Sequence, residues 1–137
     1  MQVALTSIVK LKVRLVAHTS LLYRFAAVIE LVTGASLLVL PTLAMQLLFR
    51  SPPSAAGEQL TQLYGLALIG LGVACWGNPC PAAAKRGLLI YNCTASILLF
   101  ALAVRDLSGG VAVWLGTGIH LTLSVLMIRD QLRKISV

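Results

Sequence analysis

Glu30, Tyr91, Asn92 and His120 each interrupt a run of apolar residues. A carboxyl, a phenol, an amide and an imidazole gathered in apolar surroundings could exchange protons or hold the polar head of a small molecule. Arg24 belongs with them as a fifth candidate. It lies six residues before Glu30, about 120° away around a helix, so its guanidinium is expected to snorkel toward an interface. Whether these groups can meet depends on the elements that carry them.

Composition sets the solvent for those elements. Of the 137 residues, 58% are hydrophobic and 11% charged, with a mean hydropathy of +0.92. A soluble domain carries about 25% charged residues, so an ordinary soluble enzyme is excluded, as is a disordered chain. The net charge of +7 does not argue for nucleic acid, because the basic residues are not clustered on one element. Four apolar runs approach the roughly 20 residues needed to cross a bilayer, at about 21–40, 60–76, 87–104 and 111–128. Each is expected to be helical, since a lone span must satisfy its own backbone. Thr19 and Ser20 are candidate N-caps for the first. RSPPSAAG (50–57), GNPCP (77–81) and LSGG (107–110) separate the runs, and Pro41 is expected to kink or stop the first helix, leaving 42–49 to continue it or to lie at the interface.

The expected fold is all-α, a single-domain, four-span membrane bundle over residues 1–137. Residues 1–20 form an amphipathic interfacial segment, an anchor for anionic lipid or an arm for a partner. A basic start before an apolar run imitates a signal peptide, but the run is long for a signal core and carries Glu30, so cleavage is not expected. Lys10, Lys12, Arg14, Arg24, Lys85, Arg86, Arg129, Arg133 and Lys134 fall on one side of the spans, and only Arg50 and Arg105 on the other. Positive charge stays inside, which places both termini and the middle loop in the cytoplasm of a bacterial-type inner membrane. Cys75, Cys80 and Cys93 then map to the cytoplasmic side or half, where free thiols are expected, with a Cys75–Cys80 pair as the lesser alternative. Their spacing fits neither a CxxC redox pair nor a zinc site. His18 and His120 lie at unlike depths for bis-histidine haem, and no phosphate-binding, dinucleotide or metalloprotease motif is present, so no cofactor and no metal are expected.

At 1.5 Å per residue, Glu30 and His120 lie about 13 and 12 Å from the cytoplasmic boundary, with Tyr91 and Asn92 at about 6–8 Å and Arg24 at about 5 Å. Glu30 and His120 are the natural pair at equal depth, with Asn92 bridging. Such groups either fix which helices neighbour each other or line a pocket for a quinone-like or lipid-like head. Gly34, Gly65, Gly70, Gly72, Gly116 and Gly118 are expected to let helices approach closely, within the bundle or against another subunit.

RFAAVIELVTGASLLVLP (24–41), LYGLALIGLGVACW (63–76) and KRGLLIYN (85–92) together resemble the small four-helix bacterial membrane proteins of the DoxX-like group. The resemblance spans most of the chain, though through short motifs. It implies a four-helix inner-membrane protein, in a group where some members are accessory subunits of quinone-linked oxidoreductases. It carries over no catalytic residue. The sequence therefore ranks three readings. First is a non-catalytic accessory subunit that packs with itself or a larger membrane complex. Second is a quinone or lipid-head-group binder with Glu30 and His120 as proton-exchanging groups. An oligomeric small-solute or proton pathway is third.

Overall fold

A computed structural model describes the backbone of residues 2–77, 79–105 and 110–135, and side chains from 21 to 133 within those limits. The described residues contain five helices and no strand: α1 (Gln2–Val39), α2 (Pro41–Phe49), α3 (Ala55–Ala74), α4 (Ala82–Val104) and α5 (Val111–Ile135). Three of them contain stretches long and apolar enough to cross a membrane: Leu21–Val39, Ala82–Val104 and Val111–Arg133. α3 falls outside that set because Glu58, Gln59, Thr61 and Gln62 dilute its first turns.

The burial pattern is inverted relative to a soluble protein. Leu21, Phe25, Val32, Leu66, Ile97, Phe100, Trp114 and Leu121 face outward, whereas Glu30, Thr61, Asn92, Ser96, Thr117, His120, Ser124 and Asp130 are buried. Each buried stripe recurs every three or four residues, as one face of a helix must. In α1 it runs Tyr23, Ala26, Ala27, Glu30, Gly34, Leu37. Outward apolar and inward small or polar is the arrangement hydrocarbon demands, because lipid cannot bond a polar atom.

α1 packs along α3, and α4 along α5; the two pairs touch each other far less. Glycine sets the first pairing. A Cβ on Gly34 would lie 2.6 Å from the Gly65 carbonyl oxygen, and one on Gly65 would lie 2.6 Å from that of Gly34. One on Gly72 would lie 2.8 Å from the Ala27 carbonyl oxygen. Gly65 and Gly72 on one helix meet Gly34 and Ala27 on the other, seven residues apart in each case, so one antiparallel register holds through two turns. Gly70 and Gly118 do not share this role. Both are exposed and a Cβ on either meets nothing within 4 Å, so neither packs helices within the bundle, and of the two expected roles only contact with another subunit is left to them. Gly116 is intermediate: a Cβ there would lie 3.2 Å from the Leu99 side chain.

Several ends differ from expectation. Helix α1 runs through Thr19 and Ser20, so neither is an N-cap; a helix already under way has no orphan N–H groups to satisfy there. At Leu40 the backbone leaves the helix (φ −128°, ψ 52°), and Pro41 opens α2 at the first position, where its missing N–H does no harm. Residues 42–49 are thus a separate helix, which folds back to meet α1, α3 and α5. Gly110 lies so close to the Leu47 and Leu48 carbonyls that any side chain there would overlap them. Ser54 caps α3 by accepting from the Gly57 N–H. The LSGG connection, Gly110 excepted, lies outside the described residues, as do the side chains of the N-terminal segment.

The cysteines bring the clearest correction. Cys75 and Cys80 are joined as a disulfide, with Cα atoms 4.7 Å apart, and Cys93 is free. Cys75 ends α3 and the proline-bearing turn returns Cys80 beneath it, a closure that motif spacing alone does not reveal. The pair sits in a core with Tyr23, Ala26, Ala27, Leu88, Leu123 and Met127, so all four long helices meet at this end. Beside it the Tyr23 hydroxyl donates to Asp130 Oδ2 at 3.2 Å, and Lys85 Nζ lies 5.0 Å from the centre of the Tyr23 ring.

The glycine register yields a paired test. Gly34→Ala and Gly65→Ala should each destabilise the protein by about 1–3 kcal/mol through overpacking. Gly70→Ala and Gly118→Ala, at open helical positions, should be neutral or gain up to about 1 kcal/mol. Reversible unfolding in detergent measures all four; equal losses at the two pairs would overturn the assigned register.

Candidate functional site

Half of the buried polar side chains among the described residues are already sealed. The hydroxyls of Thr61, Ser96, Thr117 and Ser124 donate to the carbonyls of Gly57, Cys93, Val113 and His120 in their own helices, at 2.7–2.9 Å. Such back-bonding lets a hydroxyl sit in apolar surroundings without a partner from elsewhere. Glu30, Tyr91, Asn92 and His120 are too long, or have too many polar atoms, for that solution.

Asn92, on α4, is fully buried, and its Nδ2 donates to the Leu88 carbonyl at 2.8 Å. This orients the amide, and its Oδ1 lies 2.8 Å from His120 Nδ1 on α5. The Tyr91 and His120 rings meet edge to face, with centroids 5.4 Å apart. From α3 the Tyr64 hydroxyl bonds that of Tyr91 at 3.0 Å. Glu30, on α1, has no exposed surface, and neither carboxyl oxygen has a hydrogen-bond partner among the described residues. Asn92 and Tyr91 lie beside that carboxyl, yet neither is in bonding geometry with it.

Four helices therefore deliver one polar layer, much as depth arithmetic requires, with one correction. Glu30 and His120 do not pair directly, because α4 presents Asn92 and Tyr91 to both: Asn92 holds the imidazole and both residues lie beside the carboxyl. Arg24 is exposed and takes no part; its position on α1 turns it away from the stripe that carries Tyr23 and Glu30. Sequence reasoning missed Tyr64, whose only signal was a phenol tip within a glycine-rich apolar run. It also missed the Tyr23–Asp130 contact, which joins residues 107 positions apart.

Beside the polar layer lies a cavity of about 640 Å³, within the range of about 300–1,000 Å³ typical of small-molecule sites. It occupies the gap between the two loosely joined helix pairs. Tyr64, Tyr91 and His120 give it polar groups at the layer; Leu37, Leu48, Phe49, Leu60, Leu102 and Leu115 make most of the rest apolar, with Thr33 and the back-bonded Thr61 also on its wall. Among the described residues no group of His, Cys, Asp and Glu side chains could hold a metal. The chain matches no known family, no curated protein and no solved structure.

An unbonded buried carboxyl opposes folding, whereas a bonded amide supports it. Glu30→Gln should therefore leave stability unchanged or raise it. Asn92→Leu, which strips His120 Nδ1 of its partner, should lower it by about 1–3 kcal/mol. Unfolding midpoints of the two variants decide this; a Glu30→Gln protein that no longer folds would make the carboxyl a structural element.

Proposed function

We propose that this is a multi-pass protein of a bacterial-type cytoplasmic membrane that binds a small amphipathic molecule of the quinone or neutral-lipid kind. One observation carries the reading: an apolar cavity ends on His120, Tyr64 and Tyr91, with the unbonded carboxyl of Glu30 behind them. The ligand's head would meet the imidazole and phenols, and its tail would lie among the leucines toward α2. Glu30 and His120 are the groups able to exchange protons with it. A phosphate head fits poorly, since it would bring negative charge beside a carboxyl deep in the bundle. The seven-residue register of α3 against the Leu21–Val39 stretch supports α3 as a fourth span, despite its lower hydropathy. We also propose kinship with the DoxX-like group, on the motifs quoted above.

A second reading, an accessory subunit of a larger membrane complex, draws support from Gly70 and Gly118. Both lie exposed on outer helix faces with open space beyond, flat enough for another helix to approach closely.

Orientation rests on nine basic residues against two, which puts the Cys75–Cys80 end in the cytoplasm. A disulfide argues the other way, but Cys75 and Cys80 are only 0% and 4% exposed, and burial limits exchange with soluble thiols. A cysteine introduced at exposed Ala83, with the three native cysteines replaced by serine, should escape a membrane-impermeant maleimide in intact cells. Labelling would reverse the topology.

The cavity is tested by filling it. Ala95 lines it one turn beyond Tyr91. Ala95→Phe should abolish the thermal stabilisation that a decyl-substituted benzoquinone or hydroquinone gives the purified protein. A melting shift that survives Ala95→Phe would place binding elsewhere.

A further inference from the structure

The geometry points to a preference in the cavity for a neutral head that donates a hydrogen bond, a phenol, hydroquinone or alcohol, over its carbonyl or ether counterpart. The inference rests on the cavity reading above and deepens it.

It begins at a backbone carbonyl. The Asn92 amide has two ends, and only its NH₂ group can donate to the Leu88 carbonyl, 2.8 Å away; the reverse orientation would set two oxygens against each other. The amide oxygen therefore faces His120 Nδ1, also at 2.8 Å. An oxygen acceptor requires a hydrogen on that nitrogen. In the neutral imidazole the other nitrogen, Nε2, then carries a lone pair and no hydrogen. Leu88, Asn92 and His120 thus form a relay that sets the tautomer, anchored by an amide with no exposed surface.

Nε2 has no protein partner among the described residues and is not among the sealed, unbonded atoms. Since His120 lines the cavity, its acceptor is left for the occupant. A hydroxyl can donate to it. A carbonyl or ether oxygen would place a second lone pair against it, leaving both unsatisfied in an apolar site. The one hydrogen that the Tyr64–Tyr91 pair keeps beyond its mutual bond and the Thr33 hydroxyl on the wall can meet a carbonyl oxygen, but neither bonds Nε2 among the described residues, so only a donor on the occupant satisfies that lone pair. Asn92 is a positioning residue here: it acts through His120.

The test uses the full-length protein in phosphatidylcholine nanodiscs, without air, with two matched pairs of probes. One pair is decyl-substituted benzohydroquinone and its quinone; the other is dodecanol and its methyl ether. The donor of at least one pair should bind about tenfold to a hundredfold more tightly than its partner, and the pair that shows it identifies the source of the hydroxyl. Asn92→Leu and His120→Phe should collapse that ratio toward one while binding of the quinone or ether changes little. A destabilised fold would weaken both members equally, so the ratio separates this role from a structural one. Equal binding within both wild-type pairs, or a preference that survives His120→Phe, overturns this inference alone. If no probe binds the wild type at all, the cavity reading fails and this inference with it.

Discussion

Hydrocarbon offers no hydrogen-bond partner, so each polar atom that this chain carries into its apolar interior must find one within the protein or stay unbonded. That constraint organises the molecule. Serine and threonine meet it locally by bonding the preceding turn of their own helix, which explains how buried hydroxyls can stand along α3, α4 and α5 without linking helices together. Asn92 and His120 meet it jointly, across two helices, through an amide whose orientation is set by the Leu88 carbonyl. Glu30 does not meet it at all. A buried unbonded carboxyl is a standing penalty, and no structural gain is visible at that position to offset it. This contrast, rather than the mere presence of polar residues, separates the site from the other buried polar side chains.

The unequal contacts among helices have the same consequence on a larger scale. Gly34, Gly65 and Gly72 bring the α1 and α3 backbones so close that the pair behaves as one unit, while α4 and α5 form the other. At the Cys75–Cys80 end the two units are drawn together by the disulfide core and by Tyr23, which meets both Asp130 and Lys85. Toward α2 they separate, and the cavity fills the gap. Closed at one end and spread at the other, the bundle places its polar layer where the spread begins. Small side chains at one interface thus create room at another.

Much of this was legible in the letters, for reasons that differ by feature. Helix type and approximate extent followed from apolar length and from Pro41 and Pro81, because backbone satisfaction in lipid leaves few alternatives. The polar layer followed from depth alone: spans of known rise bring Glu30, Tyr91, Asn92 and His120 near one level whatever their rotation. Rotation was not legible, and it decides contact. It interposed α4 between Glu30 and His120, and left Gly70 and Gly118 on open faces while Gly65 and Gly72 closed onto α1; only for Arg24, on the same helix as Glu30, did spacing give the angle. Tyr64 escaped notice because its relevance comes only from facing Tyr91. The cysteine pair ranked below free thiols because a turn's closure is a three-dimensional property, and four intervening positions match no familiar motif.

Glu30 and His120 also differ in what they can do, although depth arithmetic made them equivalent. His120 is held by Asn92 and borders the cavity, so its free nitrogen is a fixed feature of the wall. Glu30 is behind that wall and does not line it; the polar side chains beside it, Asn92 and Tyr91, belong to the layer in front. A molecule in the cavity would therefore be oriented by the imidazole and would reach the carboxyl only through Tyr91 or by displacing it.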